Sequence, residues 1–170
     1  YRFVVKEGNI RKIVLECLKM GVRGIQLVSY SHVAREIMDA MKEFGEKPLI
    51  VGTRVFDDEQ SFSWLCKLEA KICLLHAPIV DRRSRERILE HVDEIMDHGM
   101  LAGIATHFPH RTLKWFLNHF DNSKIKFVMT PLNYGEVSLD APLPAIEELY
   151  ETIMIRGYGM ILKKALEAGG

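Results

Sequence analysis

The chain has 170 residues, enough for one domain of ordinary size. Hydrophobic residues make up 48% and charged residues 27%, the balance of a globular protein rather than of a disordered chain. The 23 basic and 23 acidic side chains cancel, and no apolar run is long enough to cross a bilayer. We therefore expect neither nucleic acid nor a membrane as a partner. Cys17, Cys66 and Cys73 lack the spacing of a metal site or a disulfide framework, which favours a reducing cytoplasmic location.

A repeated pattern of short apolar runs and amphipathic segments organises the chain. Each run is flanked by turn residues, and successive runs start about 23 to 30 residues apart, the length of one strand and one helix. Continuous apolar runs are typical of parallel strands that helices bury on both faces. In the first half of the chain we predict a strand at 1–5, a helix from 9 to about 20, strand 24–28, a helix from 31 to 45, strand 48–52, a helix capped by Asp57 or Asp58, and strand 71–75. In the second half we predict helix 84–98, strand 101–105, a helix from 109, strand 125–129, an irregular loop at 131–144, a helix at about 144–156, and a last strand from 159.

This repeat predicts an α/β fold of the TIM-type (β/α) barrel class, with an open doubly wound sheet as the alternative. The residues from 159 onward also have the composition of a continued helix, and we prefer the strand. Six to seven βα units are visible in a single domain at 1–170, whereas a closed eight-stranded barrel typically needs about 200 or more residues. We therefore expect an incomplete barrel, truncated at the C-terminal end. A homo-oligomer would cover the strand edges that such a barrel exposes.

Polar side chains follow the predicted strands, at the end where the sites of parallel α/β folds lie. His76 and His107 end neighbouring strands, and an imidazole can donate to a substrate oxygen or bind a metal ion. A lone histidine usually has a structural role, with its ring bound to a backbone carbonyl. Two histidines that converge on one place favour a functional role as much as a structural one. Arg54 needs an anionic partner, either a phosphate or carboxylate of a substrate or a protein acid such as Asp81.

Four further polar residues leave two interpretations open. Gln26 either lines the barrel or is a hydrogen-bonded core amide. Tyr30 is either a proton donor or a packed loop aromatic. Asn133 and Glu136 either orient a ligand or structure the loop at 131–144.

Five segments resemble strands of the aldo/keto reductase superfamily, whose members are TIM barrels that use a nicotinamide cofactor. The resemblance extends from about Asn9 to Gly170. The segments are Gly21 to Tyr30, Leu49 to Arg54, Ile72 to Pro78, Met100 to Phe108, and Leu166 to Gly169.

The resemblance implies a catalytic role for four residues. Gln26, Tyr30, Arg54 and His76 match the aspartate, tyrosine, lysine and histidine of the family, and only His76 keeps the family's residue in a clean match. It also implies that Thr106 and His107 replace the serine and asparagine that hold the carboxamide of the cofactor.

Asn133 is a third candidate for contact with the cofactor. Met129 stands where a glutamine helps to hold it, and Lys163 stands where a ring-stacking aromatic is usual. The implied function is an oxidoreductase that acts on a small carbonyl substrate with NADP or NAD.

Two other functions stay open. In a metal-dependent hydrolase or isomerase, His76 and His107 would be ligands to zinc or manganese, and Glu136, Asp81 or Asn133 would supply oxygen. Because the catalytic tetrad is degenerate, a non-catalytic barrel that binds a small ligand or a partner chain is the third hypothesis.

Overall fold

The computed structural model describes residues 8–55 and 60–166. The strand predicted at 1–5 and the capping residues Asp57 and Asp58 lie outside the described residues. The chain divides into two compact units, Tyr1–Cys73 and Leu74–Gly170, with the boundary inside the third described strand. That residues 1–170 form a single domain stays a prediction.

Helices and strands alternate along the described chain. The elements are α1 (Asn9–Lys19), β1 (Gly24–Val28), α2 (Ser31–Phe44), β2 (Leu49–Thr53), α3 (Gln60–Lys67), β3 (Ile72–Leu75), α4 (Ala77–Val80), α5 (Arg85–Asp97), β4 (Leu101–Ala105), α6 (Pro109–His119), β5 (Ile125–Pro131), α7 (Leu143–Ile155) and β6 (Gly159–Lys163). The five predicted strands from 24 to 129 are confirmed to within two residues. The last segment is a strand, as preferred, and not a continued helix.

The described strands belong to a six-stranded sheet in the order β1-β2-β3-β4-β5-β6. The pairs β1–β2, β4–β5 and β5–β6 are parallel. A doubly wound sheet reverses its strand order at a switch point, and the described strands show no such reversal. The predicted fold class, an incomplete α/β barrel of the TIM type, is confirmed.

In the first unit, α1 packs against α2. The helical periodicity predicts an apolar stripe on α1 of Ile10, Ile13, Val14, Cys17 and Leu18, but Ile13 is 43% exposed and Leu15 is buried instead. The carboxylate of Glu36 accepts the backbone N–H groups of Gly8 and Arg11, both at 3.0 Å. It thus satisfies donors that the start of α1 leaves without helical partners, and its charge complements the helix dipole.

Two glycines allow side chains to pack directly on the strands. A Cβ atom at Gly52 of β2 would lie 2.2 Å from Cδ2 of Leu65, which projects from α3 in the same unit. In the second unit, a Cβ atom at Gly103 of β4 would lie 2.6 Å from Cδ2 of Leu74 and 2.9 Å from the carbonyl oxygen of Phe127. Glycine is therefore required for close packing at both positions.

The second unit contains one short helix that the sequence pattern did not predict. The single turn α4 follows β3 directly, with Pro78 in its first turn, where the absent N–H has no helical partner to lose. Asp81 ends this turn. The helix therefore fixes the place of Asp81 relative to the end of β3.

No helix among residues 8–55 and 60–166 combines the length and the hydropathy that a membrane span requires.

Candidate functional site

The strand ends of the first unit hold a closed network of neutral hydrogen bonds. Gln26 Nε2 donates to Thr53 Oγ1 at 3.0 Å, and Ser29 Oγ donates to the Thr53 carbonyl at 3.1 Å. The Ser29 and Ser61 hydroxyls bond to each other, and Ser61 Oγ accepts the Val55 N–H at 3.0 Å. Ser29, Thr53 and Ser61 are buried. These bonds satisfy polar groups that burial would otherwise leave without partners.

Tyr30 and Arg54, two predicted catalytic residues of this unit, contact aromatic rings. Tyr30 is 47% exposed, and its ring stacks on His32 with the ring centroids 6.0 Å apart. The guanidinium carbon of Arg54 lies 4.3 Å from the centroid of the Phe62 ring, within cation–π range. Their roles in catalysis stay predictions, as does that of Gln26.

In the second unit, the carboxylate of Asp81 is the centre of a second network. Asp81 Oδ1 accepts the hydroxyl protons of Thr106 and Thr112, the latter at 2.9 Å. Asp81 Oδ2 accepts the backbone N–H of His107 at 3.1 Å. Thr106 Oγ1 also accepts the Phe108 N–H at 3.0 Å. These bonds fix the backbone of His107 where β4 ends.

Three basic side chains lie around this network, namely His76, His107 and Lys163. Lys163 is the last residue of β6, and its Nζ lies 3.4 Å from Nδ1 of His107. Burial, and then the charge of Lys164, lowers the pKa of Lys163 to about 8, although the charge of Asp81 opposes the shift. A buried ammonium group loses solvation that a neutral amine does not need.

Both histidines of the pair have pKa values below the usual range. For His76 and for His107, burial is the largest cause and the charge of Lys163 is the second. His76 also lowers the pKa of His107, so the two rings are within electrostatic reach of each other. At neutral pH the neutral imidazole is therefore favoured at both positions. Within residues 8–55 and 60–166, no hydrogen bond involves a ring nitrogen of His76.

Two consecutive lysines diverge where β6 ends. Lys163 pairs in register with Pro131 of β5, and its carbonyl accepts the Leu132 N–H at 3.0 Å. Lys164 has a φ of 58°, and its Nζ donates to Ser138 Oγ at 2.8 Å. The left-handed turn at Lys164 thus separates the two amines and leaves the amine of Lys163 beside His107.

Asn133 and Glu136 contact the backbone of their own loop. Asn133 Nδ2 donates to the Val137 carbonyl at 2.9 Å, and Asn133 Oδ1 accepts the Val137 N–H at 2.7 Å. Glu136 Oε1 accepts the Leu143 N–H at 3.0 Å. These are the bonds of a structured turn, the second of the two interpretations of the sequence.

Two of the three predicted contacts to a cofactor, Thr106 and Asn133, have hydrogen-bond partners within the protein. The Thr106 hydroxyl is buried and bound to Asp81, and the Asn133 amide is bound to Val137. His107 Nδ1 lies beside Lys163. The roles of Thr106, His107 and Asn133 in binding a cofactor stay predictions.

The geometry gives no support to the metal hypothesis. Within the described ranges, no group of three or more His, Cys, Asp and Glu side chains could hold a metal ion. Asp81 already accepts three hydrogen bonds, and the amine of Lys163 lies beside His107. Metal binding by His76 and His107 stays a prediction.

From the sequence, Asp81 was named only as a partner for Arg54 or as a metal ligand, and Lys163 only for its position in the resemblance, so their places in the second network were missed. Lys163 follows the apolar run 160–162, just as His76 follows the run 72–75. The rule that identified His76 could therefore have identified Lys163. The bonds of Asp81 to Thr106 and Thr112 had no such signal, because they depend on a short helix and join residues that are distant in sequence.

No family model matches the chain, and no curated protein matches it in sequence. Solved structures are similar to it. An aldo/keto reductase from Brucella melitensis has a TM-score of 0.63 at 14% identity and covers 93% of this chain. Streptococcus suis SuiB has a TM-score of 0.60 at 14% identity, also over 93% of this chain, and SuiB bound to S-adenosylmethionine has a TM-score of 0.58 over 92%.

The chain spans 63% of the length of that reductase and 43% and 41% of the two SuiB chains. At this identity the likeness shows the fold alone, which is that of a TIM-barrel-like relative of these proteins. Membership of the aldo/keto reductase superfamily stays a prediction.

Proposed function

We propose that this chain is an aldo/keto reductase-like barrel protein that acts on a small carbonyl compound at the strand ends of the second unit. The observation that carries the proposal is the His76 ring. It is half-buried at the end of β3, its pKa is lowered, and no hydrogen bond among the described residues engages its nitrogens. A neutral imidazole placed in this way can donate its N–H to the oxygen of a carbonyl group.

His107 and Lys163 support the same assignment. Positive charge near the carbonyl oxygen stabilises the negative charge that develops there when the carbonyl carbon is attacked. Lys163 supplies such a charge in its protonated form, and the same charge lowers the pKa of His76. Asp81 orients this region by holding the backbone of His107.

Reduction with NADP or NAD is the reaction that the resemblance to the superfamily implies. When bound, such a cofactor supplies a hydride to the carbonyl carbon. Because Thr106 and Asn133 have other partners, we assign no contact with the cofactor to them. Tyr30 as proton donor, Arg54 as a clamp for an anionic group and Gln26 at the aspartate position remain part of the oxidoreductase hypothesis.

The test is a titration of the full-length protein with reduced nicotinamide cofactor, followed by turnover of a panel of small aldehydes, ketones and 2-oxo acids. Fluorescence transfer from Trp64 and Trp115 reports binding. We expect His76→Asn to reduce turnover about 100-fold or more, because proton donation typically contributes that much. The matched control is His98→Asn on the exposed end of α5, which should not change it. If the cofactor does not bind, the oxidoreductase assignment fails.

A non-catalytic barrel that binds a small carbonyl ligand is the second candidate. The bonds that Thr106 and Asn133 make within the protein favour it, because they leave these side chains fewer donors and acceptors for a cofactor. Binding of a carbonyl ligand that depends on His76, without turnover, would support this candidate. Metal analysis of the same sample tests the metal-dependent hydrolase or isomerase hypothesis, since stoichiometric metal would make His76 and His107 ligands instead.

A further inference from the structure

We propose that Lys163 is a nucleophilic amine that forms a Schiff base with a small aldehyde or ketone. The inference rests on the proposed function in one respect, since it places the carbonyl group at the same strand ends. It differs in requiring no nicotinamide cofactor. The proposal concerns a covalent bond between Nζ of Lys163 and the carbonyl carbon, which nothing in the sequence pattern indicated.

The first support is the partner of the amine. Several lysines of the chain bind a carboxylate, as Lys19 binds Glu16 at 2.8 Å and Lys124 binds Asp93 at 2.6 Å. Lys163 instead lies 3.4 Å from the ring nitrogen Nδ1 of His107. A carboxylate partner would stabilise the ammonium form, whereas a neutral imidazole can also take up a proton.

The second support is the environment of the amine. Lys163 is half-buried, and burial lowers its pKa to about 8, with a smaller contribution from the charge of Lys164. At pH 7 about one tenth of such an amine is neutral, far more than for a solvated lysine. Only the neutral amine has the lone pair that attacks a carbonyl carbon, and desolvation is a known route to reactive lysines.

The proposed step is balanced without any oxidant or reductant. The Nζ lone pair attacks the carbonyl carbon, and the π electrons of the carbonyl move to its oxygen. His107 Nδ1 accepts a proton from Nζ, and the proton is returned to that oxygen, which gives a carbinolamine. The lone pair of nitrogen then forms the C=N bond as the hydroxyl group leaves, and with the second proton of Nζ it becomes water. The sum is amine plus carbonyl compound giving imine plus water.

The neighbouring lysine provides a matched control. Lys164 is adjacent in sequence and carries the same group, but its amine donates to Ser138 Oγ at 2.8 Å in the loop after β5. The backbone of Lys164 is in the left-handed region, so its side chain leaves the chain in a different direction from that of Lys163. A reaction that depends only on exposed amines would not distinguish the two positions, whereas the proposed reaction does.

The experiment is reductive trapping with pyruvate and cyanoborohydride on the full chain, at limiting pyruvate and without nicotinamide cofactor. Intact mass and peptide mapping locate the adduct. We expect one adduct per chain on Lys163, a loss of at least about tenfold in trapping rate with Lys163→Arg, and an unchanged rate with Lys164→Arg. The rate should rise up to about pH 8 and then level off, because the neutral amine predominates above its pKa.

Glycolaldehyde is the second probe, which covers the case of a site that rejects a carboxylate. Lys163→Met, whose unfolding is checked by thermal melting, keeps the test valid if the arginine variant is poorly folded. Adducts spread over exposed lysines with both probes, or trapping unchanged by substitution of Lys163, would overturn the inference. Trapping on Lys163 without cofactor-dependent turnover would support it while the oxidoreductase assignment fails. Cofactor-dependent turnover without trapping on Lys163 would overturn the Schiff-base inference and support the oxidoreductase assignment.

Discussion

Polar residues follow the strands in both units, but the two units differ in whether the polar atoms of these residues already have hydrogen-bond partners. In the first unit the hydroxyls of Ser29, Thr53 and Ser61 are buried and bond to one another or to nearby backbone. In the second unit His76 and Lys163 are half-buried, and their nitrogens are not held by any carboxylate within the described residues. The position of a polar residue at a strand end therefore does not by itself make a binding site.

The difference follows from side-chain length and charge. A hydroxyl close to the backbone reaches neighbouring backbone groups and is readily satisfied by them, which is how Ser61 binds Val55. An imidazole or a lysine amine extends past the end of the strand. In the second unit the threonines and one carboxylate complete their own network at Asp81, and the basic groups stand beside it.

The largest expected effect is that of Asp81→Asn, which removes the charge at the centre of the second network. The amide nitrogen of asparagine cannot accept the His107 N–H, and the threonine hydroxyls lose a charged acceptor. We expect the free energy of unfolding, measured in urea, to fall by about 2 kcal/mol. Since the charge of Asp81 raises the pKa of Lys163, the pH at which trapping levels off should also move below about 8.

Asp140→Asn is the matched control for that variant. Asp140 accepts the backbone N–H groups of His110 and Arg111 at the start of α6, at 2.7 and 3.1 Å, so the same change of charge also costs stability there. It should leave the pH profile of trapping unchanged. An equal shift from both substitutions would mean that total charge, and not the contact of Asp81 with this site, controls the reactivity of Lys163.

The next effect is a pH-dependent gain in stability from Lys163→Met. The pKa of about 8 for Lys163 in the folded chain is below the ordinary lysine value of 10.5, so the folded chain releases this proton at lower pH than the unfolded chain. Below pH 8 the folded chain carries the full cost of the buried ammonium group, and between pH 8 and 10.5 that cost disappears.

We therefore expect the methionine variant to be more stable than the parent at pH 7 and equally stable near pH 10.5. Partial exposure screens the charge, which reduces the expected gain to about 1 to 2 kcal/mol. Urea unfolding at a series of pH values measures it. A gain that stays constant with pH would come from the apolar packing of methionine instead, and would contradict the role assigned to burial of the charge.

The sequence predicts the fold better than the site. The strands and helices depend on residues that are close together along the chain, whereas the site depends on residues that are far apart. Strand 101–105 and the others are visible as local apolar runs, and the spacing between runs gives the helices. The prediction of the buried face of α1 was partly wrong, because Ile13 and Leu15 are both apolar and only the packing against α2 decides which of them is buried. Tertiary contacts thus override a local pattern even in a regular helix.

Within the site, the sequence singled out His76 and His107 but not their neighbours. The network at Asp81 joins α4 to Thr106 and to Thr112, which are 25 and 31 residues away, and no local pattern encodes those bonds. Thr106 was assigned to the cofactor by resemblance alone, and its bond to Asp81 became visible only in the fold. Such pairings depend on tertiary structure rather than on residue type.

The smallest expected effect is that of Ser61→Ala, which tests whether the network of the first unit is purely structural. The substitution leaves the partly buried Val55 N–H and the buried Ser29 hydroxyl without the Ser61 oxygen that they contact. The expected loss in the free energy of unfolding is about 1 kcal/mol, because two neutral hydrogen bonds are lost and each contributes as little as about 0.5 kcal/mol. Ser123→Ala, which removes an exposed hydroxyl bonded to Asp121, should cost no more than about 0.5 kcal/mol. Neither variant should alter trapping on Lys163, and a change with Ser61→Ala alone would show that the strand ends of the first unit take part in function.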